Sequence, residues 1–341
     1  MEKTNELKSR LNRSFGIACL FSVVSTVITV IATVIYLIVM VIPEMVQVSN
    51  SFYDKADFYI LFVLPQLLLP LLTAGISFLI PIINREKFSE SIRKKRVPIH
   101  YFLLCALAFP GLSTVFSYVS YYISYVLSLI GIPVLDVSSV IPQPEGALEI
   151  FLLFFVMAVL PAICEELIYR GFLLSGISKY GKGGAILVTS IAFGLMHATI
   201  QQIPFAFFVG LILAYLAVRF DSLILPMVLH FINNFISCLF TLLQYEMNTE
   251  SFEILAGCID VAFMILMLLS VAIFIILTIN DKKNKIQISE ISEEDVEADV
   301  AKEKANFFSA VVHSWGFWLF TAIYLVTTIV NIVATAFSYG I

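Results

Sequence analysis

The sequence predicts an all-α, polytopic transmembrane helical bundle of about nine spans, and three observations carry that expectation. Of its 341 residues, 60% are hydrophobic and only 13% charged, against about 45–50% and about 25% in ordinary soluble domains. The mean hydropathy is +0.97. Apolar runs recur along the chain, many of them about 20 residues or longer, the length that crosses a hydrocarbon core of about 30 Å. Little chain is left for a separate soluble domain.

The first run, Phe15 to Ile42, is longer than a signal-peptide core and lacks a small-residue cleavage pattern near its end, so it reads as a retained membrane anchor. Further runs are Phe58–Ile83, Tyr101–Ile132, Ala147–Leu174, Ala185–Ile200, Pro204–Val218, Ser222–Leu242, Ile254–Ile279 and Ser309–Ser338. Those at 185–200 and 204–218 are short for a span and call for shielding by neighbouring helices or a thinned bilayer. Pro65, Pro70 and Pro81 predict kinks in the second span, tolerable where neighbours satisfy the freed carbonyls.

Lys and Arg in short loops mark the cytoplasmic side. Arg85, Lys87, Arg93, Lys94, Lys95 and Arg96 place loop 84–99 inside. Counting outward puts Lys3, Lys8, Arg10 and Arg13 of the N-terminal tail inside as well, with Lys179, Lys182, Arg219 and the Lys282, Lys283, Lys285 cluster. Loops 43–57, 133–146 and 243–253 hold one basic residue between them, Lys55. The expected organisation is a cytoplasmic N-terminal tail over 1–14, accessory transmembrane helices over 15–146 and a core over 147–242. C-terminal helices with an acidic cytoplasmic linker at 280–308 complete it over 243–341. The expected location is the bacterial plasma membrane, with the lipid bilayer as solvent.

The net charge of -5 hides an uneven distribution, because seven acidic residues, Glu290, Glu293, Glu294, Asp295, Glu297, Asp299 and Glu303, lie in that one hydrophilic stretch. Nucleic acid is therefore not an expected partner. Cys19, Cys105, Cys164, Cys238 and Cys258 fall in apolar runs without paired spacing and read as small buried hydrophobes.

A charge at the bilayer centre costs about 2.5–3.5 kcal/mol on insertion scales, so every ionisable residue within a span needs a reason. Most of them lie between 165 and 234. Cys164-Glu165-Glu166-Leu167-Ile168-Tyr169-Arg170 puts two carboxylates and a guanidinium within about two helical turns. Glu166 and Arg170 share a face and suit an i, i+4 ion pair. Glu165 is turned about 140° away from Arg170 and is left free to face a cavity, which makes it the better candidate base.

Phe193 and His197 lie one turn apart on the next apolar run, and His230 and Asn234 one turn apart on the run from Ser222. Measured from the cytoplasmic ends of their spans, Glu165 lies roughly 13 Å deep, His197 roughly 18 Å and His230 roughly 12 Å. The three segments thus converge on one layer of the inner half of the membrane.

These residues resemble the CPBP family of intramembrane proteases, which includes CAAX prenyl endopeptidases and bacteriocin-processing, Abi-type enzymes. The family pattern is Glu-Glu-x-x-x-Arg, then Phe-x-x-x-His, then His-x-x-x-Asn or Asp. It is met by Glu165, Glu166 and Arg170, by Phe193 and His197, and by His230 and Asn234. The resemblance implies an intramembrane endopeptidase acting on a membrane-associated peptide or protein. Glu165 would be the general base, His197 would help hold the water, and His230 with Asn234 would stabilise the oxyanion. Glu166, Arg170 and Phe193 would support them.

The same resemblance allows a metalloprotease version with Zn²⁺ on Glu165, His197 and His230. The absence of His-Glu-x-x-His and the presence of Asn, an uncommon zinc ligand, favour the version that requires no cofactor. Prenylated protein tails, bacteriocin or pheromone precursors, leader peptides and an immunity role are all compatible substrates or functions.

Other readings of the polar block are a multi-pass transporter, a non-catalytic immunity protein, and a buried ion-pair network that merely glues helices together. Transporters commonly show two halves with corresponding broken helices, and here the block is single. Asp260 and His313 read as interhelical polar contacts, and Glu149 and Arg219 as residues that snorkel to the interface. Gly181-Lys182-Gly183-Gly184 lacks the Ser or Thr of a phosphate loop and reads as a tight turn. Cys164, in apolar surroundings, reads as inert.

Overall fold

The computed structural model describes residues 2–20, 24, 31, 57–134, 141–286 and 306–339. Residues 2–20 form helix α1, and α2 spans Phe58–Ile83. A short α3 (Phe88–Ser91) precedes the long α4 (Ile99–Leu129). The centre of the chain contributes α5 (Ala147–Ser178), α6 (Lys182–Leu195), α7 (Gln202–Phe220) and α8 (Ile224–Glu246). After them come α9 (Thr249–Ile286), a short α10 over 306–312, and α11 (Trp315–Tyr339). No strand occurs among the described residues, and 7 of their helices are long and apolar enough to cross a membrane.

Most of the first apolar run lies outside the described residues. The run expected at 185–200 becomes the 14-residue α6, about 21 Å long and too short to cross alone. It is shielded instead by its neighbours. Val188, Thr189, Ala192 and Phe193 are buried, and α6 packs along α7 and against α5 and α11. In contrast, α9 turns Val261, Ile265, Leu268, Leu269 and Ile276 outward, as a helix solvated by lipid does.

Proline placement explains several local features. Pro65 stands in the first turn of the regular part of α2, where its missing N–H costs nothing. Pro70 and Pro110 are accommodated inside α2 and α4, and α2 is interrupted at Phe78 shortly before Pro81. Within α5 the turns widen to π-helical geometry over Phe155–Val159 and again over Leu167–Leu174. Such widened turns are frequent at functional sites. They bracket the regular segment Leu160–Glu166, which carries both carboxylates.

Where α4 crosses α9, Gly111 lets the backbones touch: a Cβ there would run into the Phe263 carbonyl and the Met267 side chain. Gly111→Ala is expected to destabilise the bundle by about 1–3 kcal/mol through overpacking, read as a lower melting temperature in detergent. An unchanged melting temperature would contradict this contact.

The basic segments assigned to one side of the membrane meet at one end of the bundle. Buried Arg10 donates to the Gly176 carbonyl at 2.6 Å and pairs with Glu86. Arg93 and Lys95 each lie 3.2 Å from Asp221, and Lys179 reaches both Glu6 and Glu86. Residues 93–95 also pair with 221–223 through backbone hydrogen bonds, Lys95 N–H to the Asp221 carbonyl and Leu223 N–H to the Arg93 carbonyl. Asp221 closes α7 in the left-handed region at φ 50°, a conformation that Asp tolerates better than most residues. The Tyr180 hydroxyl donates to Glu6, which together with nearby Lys179 and Arg10 holds that carboxyl below its ordinary value.

Candidate active site

The site forms where α5, α6 and α8 pass one another, and it is built around a fully buried carboxylate. Glu166 is 0% exposed and Arg170 1%. The i, i+4 pair expected from their spacing is present, with Arg170 Nη1 donating to Glu166 Oε1 at 2.7 Å. Arg170 Nη2 donates to the Gly210 carbonyl of α7 at 3.2 Å, and its guanidinium lies 4.2 Å over the Phe193 ring. A buried cation is thereby matched by an anion, a carbonyl and an aromatic face.

Glu166 has a second partner that its helical spacing does not reveal. His230 Nδ1 lies 2.9 Å from the same Oε1. A carboxylate paired with arginine only accepts, so the imidazole donates from Nδ1 and turns Nε2 to the cavity. His197 is oriented by similar logic, since its Nδ1 lies 2.9 Å from the Phe193 carbonyl one turn earlier. A carbonyl only accepts, so Nε2 is again the exposed nitrogen. Phe193 sits between the two imidazoles, with ring centroids 5.2 Å from His197 and 5.8 Å from His230, both edge-on. One phenyl ring therefore packs against Arg170, His197 and His230.

Glu165 faces the other way from Arg170. Its Oε2 is buried, accepts no hydrogen bond from the protein, and lies 3.9 Å from His230 Nε2. Asn234 Nδ2 donates to the Met157 carbonyl in the widened turn of α5, and Asn234 Oδ1 accepts from Asn233. Glu165, Phe193, His197, His230 and Asn234 all line one cavity of about 760 Å³. Gln66, Gln202 and Asn233 add amide groups to its wall. The Asn233 signal stood beside Asn234 in the sequence, and Gln66 is a lone amide in an apolar run, but only packing brings Gln66 and Gln202 here.

The turn that ends α6 is strained beside His197. Ala198 is buried and held at φ 53°, with its carbonyl accepting from Asn331 Nδ2 of α11 at 2.8 Å. The left-handed conformation costs a non-glycine residue roughly 1–2 kcal/mol. Ala198→Gly is expected to raise the melting temperature modestly, whereas a fall would show that the alanine methyl matters more than the strain.

Glu165, His197 and His230 share this cavity without forming a metal cage. Among the described residues no group of three His, Cys, Asp or Glu side chains is gathered closely enough to hold a metal ion. Among the remaining polar lining groups, Gln66, Gln202, Asn233 and Asn234 are amides, which are uncommon ligands for zinc.

A family model described as Rce1-like, a type II CAAX prenyl endopeptidase, matches residues 147–236. No curated protein and no solved structure matches the chain. The matched stretch contains every one of Glu165, Glu166, Arg170, Phe193, His197, His230 and Asn234. The chain is thus an integral membrane protein with apolar spanning helices, and its residues 147–236 are similar to the Rce1-like, type II CAAX prenyl endopeptidase family.

Proposed function

We propose that the protein hydrolyses a peptide bond of a membrane-associated peptide or protein, using one water activated on Glu165. The observation that carries this reading is a buried carboxylate oxygen with no hydrogen bond from the protein, opening with two oriented imidazoles onto a single polar cavity. A cavity of that size with several polar partners readily holds water.

In this mechanism the substrate carbonyl enters between α5 and α8. Glu165 Oε2 takes a proton from the water, and His197 Nε2 accepts its other hydrogen bond, so the oxygen is aimed and made nucleophilic. Attack puts negative charge on the carbonyl oxygen. Asn234 donates its second amide hydrogen to it, and His230, held through Nδ1 by Glu166, stands beside it to stabilise that charge. Glu165 then passes its proton to the departing amine. Glu166 holds His230 by Nδ1 and is itself held by Arg170, while Phe193 keeps the two rings apart.

Residues 147–242 serve as the catalytic core in this reading, with the helices over 15–146 and 243–341 as its membrane scaffold. The N-terminal tail faces the cytoplasm, a placement supported by the ion-paired basic segments gathered at one end of the bundle. A bacterial plasma membrane fits that charge bias.

The test is cleavage of a lipid-anchored peptide by the full chain reconstituted in vesicles, read by mass spectrometry. Cleavage that persists in a strong chelator is expected, and a chelator-sensitive rate restored by added zinc would contradict the metal-free mechanism. His197→Ala is expected to lower the rate about 10²–10⁴-fold with folding retained. Accumulation of intact peptide inside sealed vesicles would instead mark a transporter.

A further inference from the structure

A second cavity, of about 370 Å³, lies between α4, α8 and α9 and shares Phe205, Asn233 and Ser237 with the wall of the candidate active-site cavity. Its volume falls at the small end of the range of ligand sites, about 300–1,000 Å³. It contains the carboxylate of Asp260, about 17 Å along α9 from its first residue. Asp260 lies outside the matched family stretch.

Asp260 accepts from Thr114 Oγ1 at 3.3 Å and from the Tyr118 hydroxyl at 3.0 Å. Two hydroxyls orient the carboxylate but do not neutralise it. No Lys, Arg or His lines this cavity, and among the described residues none forms an ion pair with Asp260. An unneutralised carboxylate within a spanning helix is costly. A further polar atom points to the same space: Ser113 is 8% exposed, lines the cavity, and its Oγ has no hydrogen-bond partner. A small space with one fixed negative charge, oriented by donors and flanked by an unsatisfied hydroxyl, is complementary to an ammonium or guanidinium group.

We propose that this cavity is a specificity subsite that receives a basic side chain of the substrate, Lys or Arg, near the bond cut in the adjoining site. Asp260 supplies the counter-charge and Ser113 accepts one N–H. This assignment rests on the peptidase reading for its substrate, but the cation site itself does not.

The experiment has two arms on the full chain in detergent and in vesicles. In the first, dodecylguanidinium and the neutral dodecanol are compared for binding. Wild type is expected to bind dodecylguanidinium at least tenfold more tightly than Asp260→Asn, with dodecanol unaffected. Ser117→Trp, at the exposed rim, is expected to weaken binding as well and serves if Asp260→Asn fails to fold. Equal affinity in wild type and the variants overturns the site. In the second arm, two otherwise identical lipid-anchored peptides carry Lys or norleucine beside the cleaved bond. A lower KM for the Lys peptide that disappears in Asp260→Asn, with the kcat for the norleucine peptide unchanged, supports the subsite. Equal KM values in wild type overturn the substrate assignment. Cleavage of neither peptide alongside intact, Asp260-dependent cation binding overturns the peptidase reading and leaves the cation site standing.

Discussion

Glu165→Gln is expected to lower peptide cleavage by about 10²–10⁴-fold, the usual contribution of a general base, without unfolding the protein. The two halves of that expectation come from the same observation. Glu165 Oε2 takes no hydrogen bond from the protein and approaches His230 Nε2 only to 3.9 Å, so a neutral amide of the same shape removes little that holds helices together. It removes a proton acceptor facing the cavity. The measurement is a single-turnover rate on a lipid-anchored peptide beside a melting curve in detergent. Unchanged turnover would remove Glu165 from the chemistry, and a collapsed melting temperature would make it a structural carboxylate.

Glu166→Gln is expected to do the reverse and strike stability first. Glu166 Oε1 receives both Arg170 Nη1 at 2.7 Å and His230 Nδ1 at 2.9 Å, in a place where neither Glu166 nor Arg170 touches solvent appreciably. Breaking a buried ion pair from one side leaves an uncompensated charge and costs about 3–5 kcal/mol. The Phe193 ring and the Gly210 carbonyl remain against Arg170, but a ring face and one carbonyl replace a carboxylate poorly. A large fall in melting temperature is therefore expected. Activity falls with it, because His230 Nδ1 is left with a neutral, shared acceptor that orients its Nε2 less firmly. A variant with wild-type stability and no activity would contradict this division between Glu165 and Glu166.

Much of this was legible in the sequence because it depends on the spacing along single helices. Four residues from Glu166 to Arg170 bring the pair together, and the offset of one residue turns Glu165 to the cavity. The same holds for Phe193 with His197, where the ring and the imidazole meet edge-on one turn apart. Composition alone sufficed for the helical membrane class.

What periodicity could not give is whatever depends on one helix meeting another. The bond from His230 to Glu166 joins residues 64 apart, and the guanidinium of Arg170 over Phe193 joins α5 to α6. The widened turns of α5 are equally silent in the sequence, since no residue type enforces them, yet they shape the helix on both sides of the carboxylates. Asp260 read as a polar contact between helices, and its bonds to Thr114 and Tyr118 are such contacts. The cavity beside it, created by the packing of α4, α8 and α9, is a property of the bundle and not of the α9 sequence.

The central claim is that Glu165 and His197 hold one solvent molecule in the cavity that His230 also lines. A map of the full chain in a lipid nanodisc, resolved well enough to show ordered water, addresses it most directly. The expected result is one solvent peak within hydrogen-bond reach of Glu165 Oε2 and an imidazole Nε2, which weakens or moves in Glu165→Gln. A cavity filled by a lipid chain, or solvent that ignores Glu165 and is unaltered by its substitution, would contradict the account.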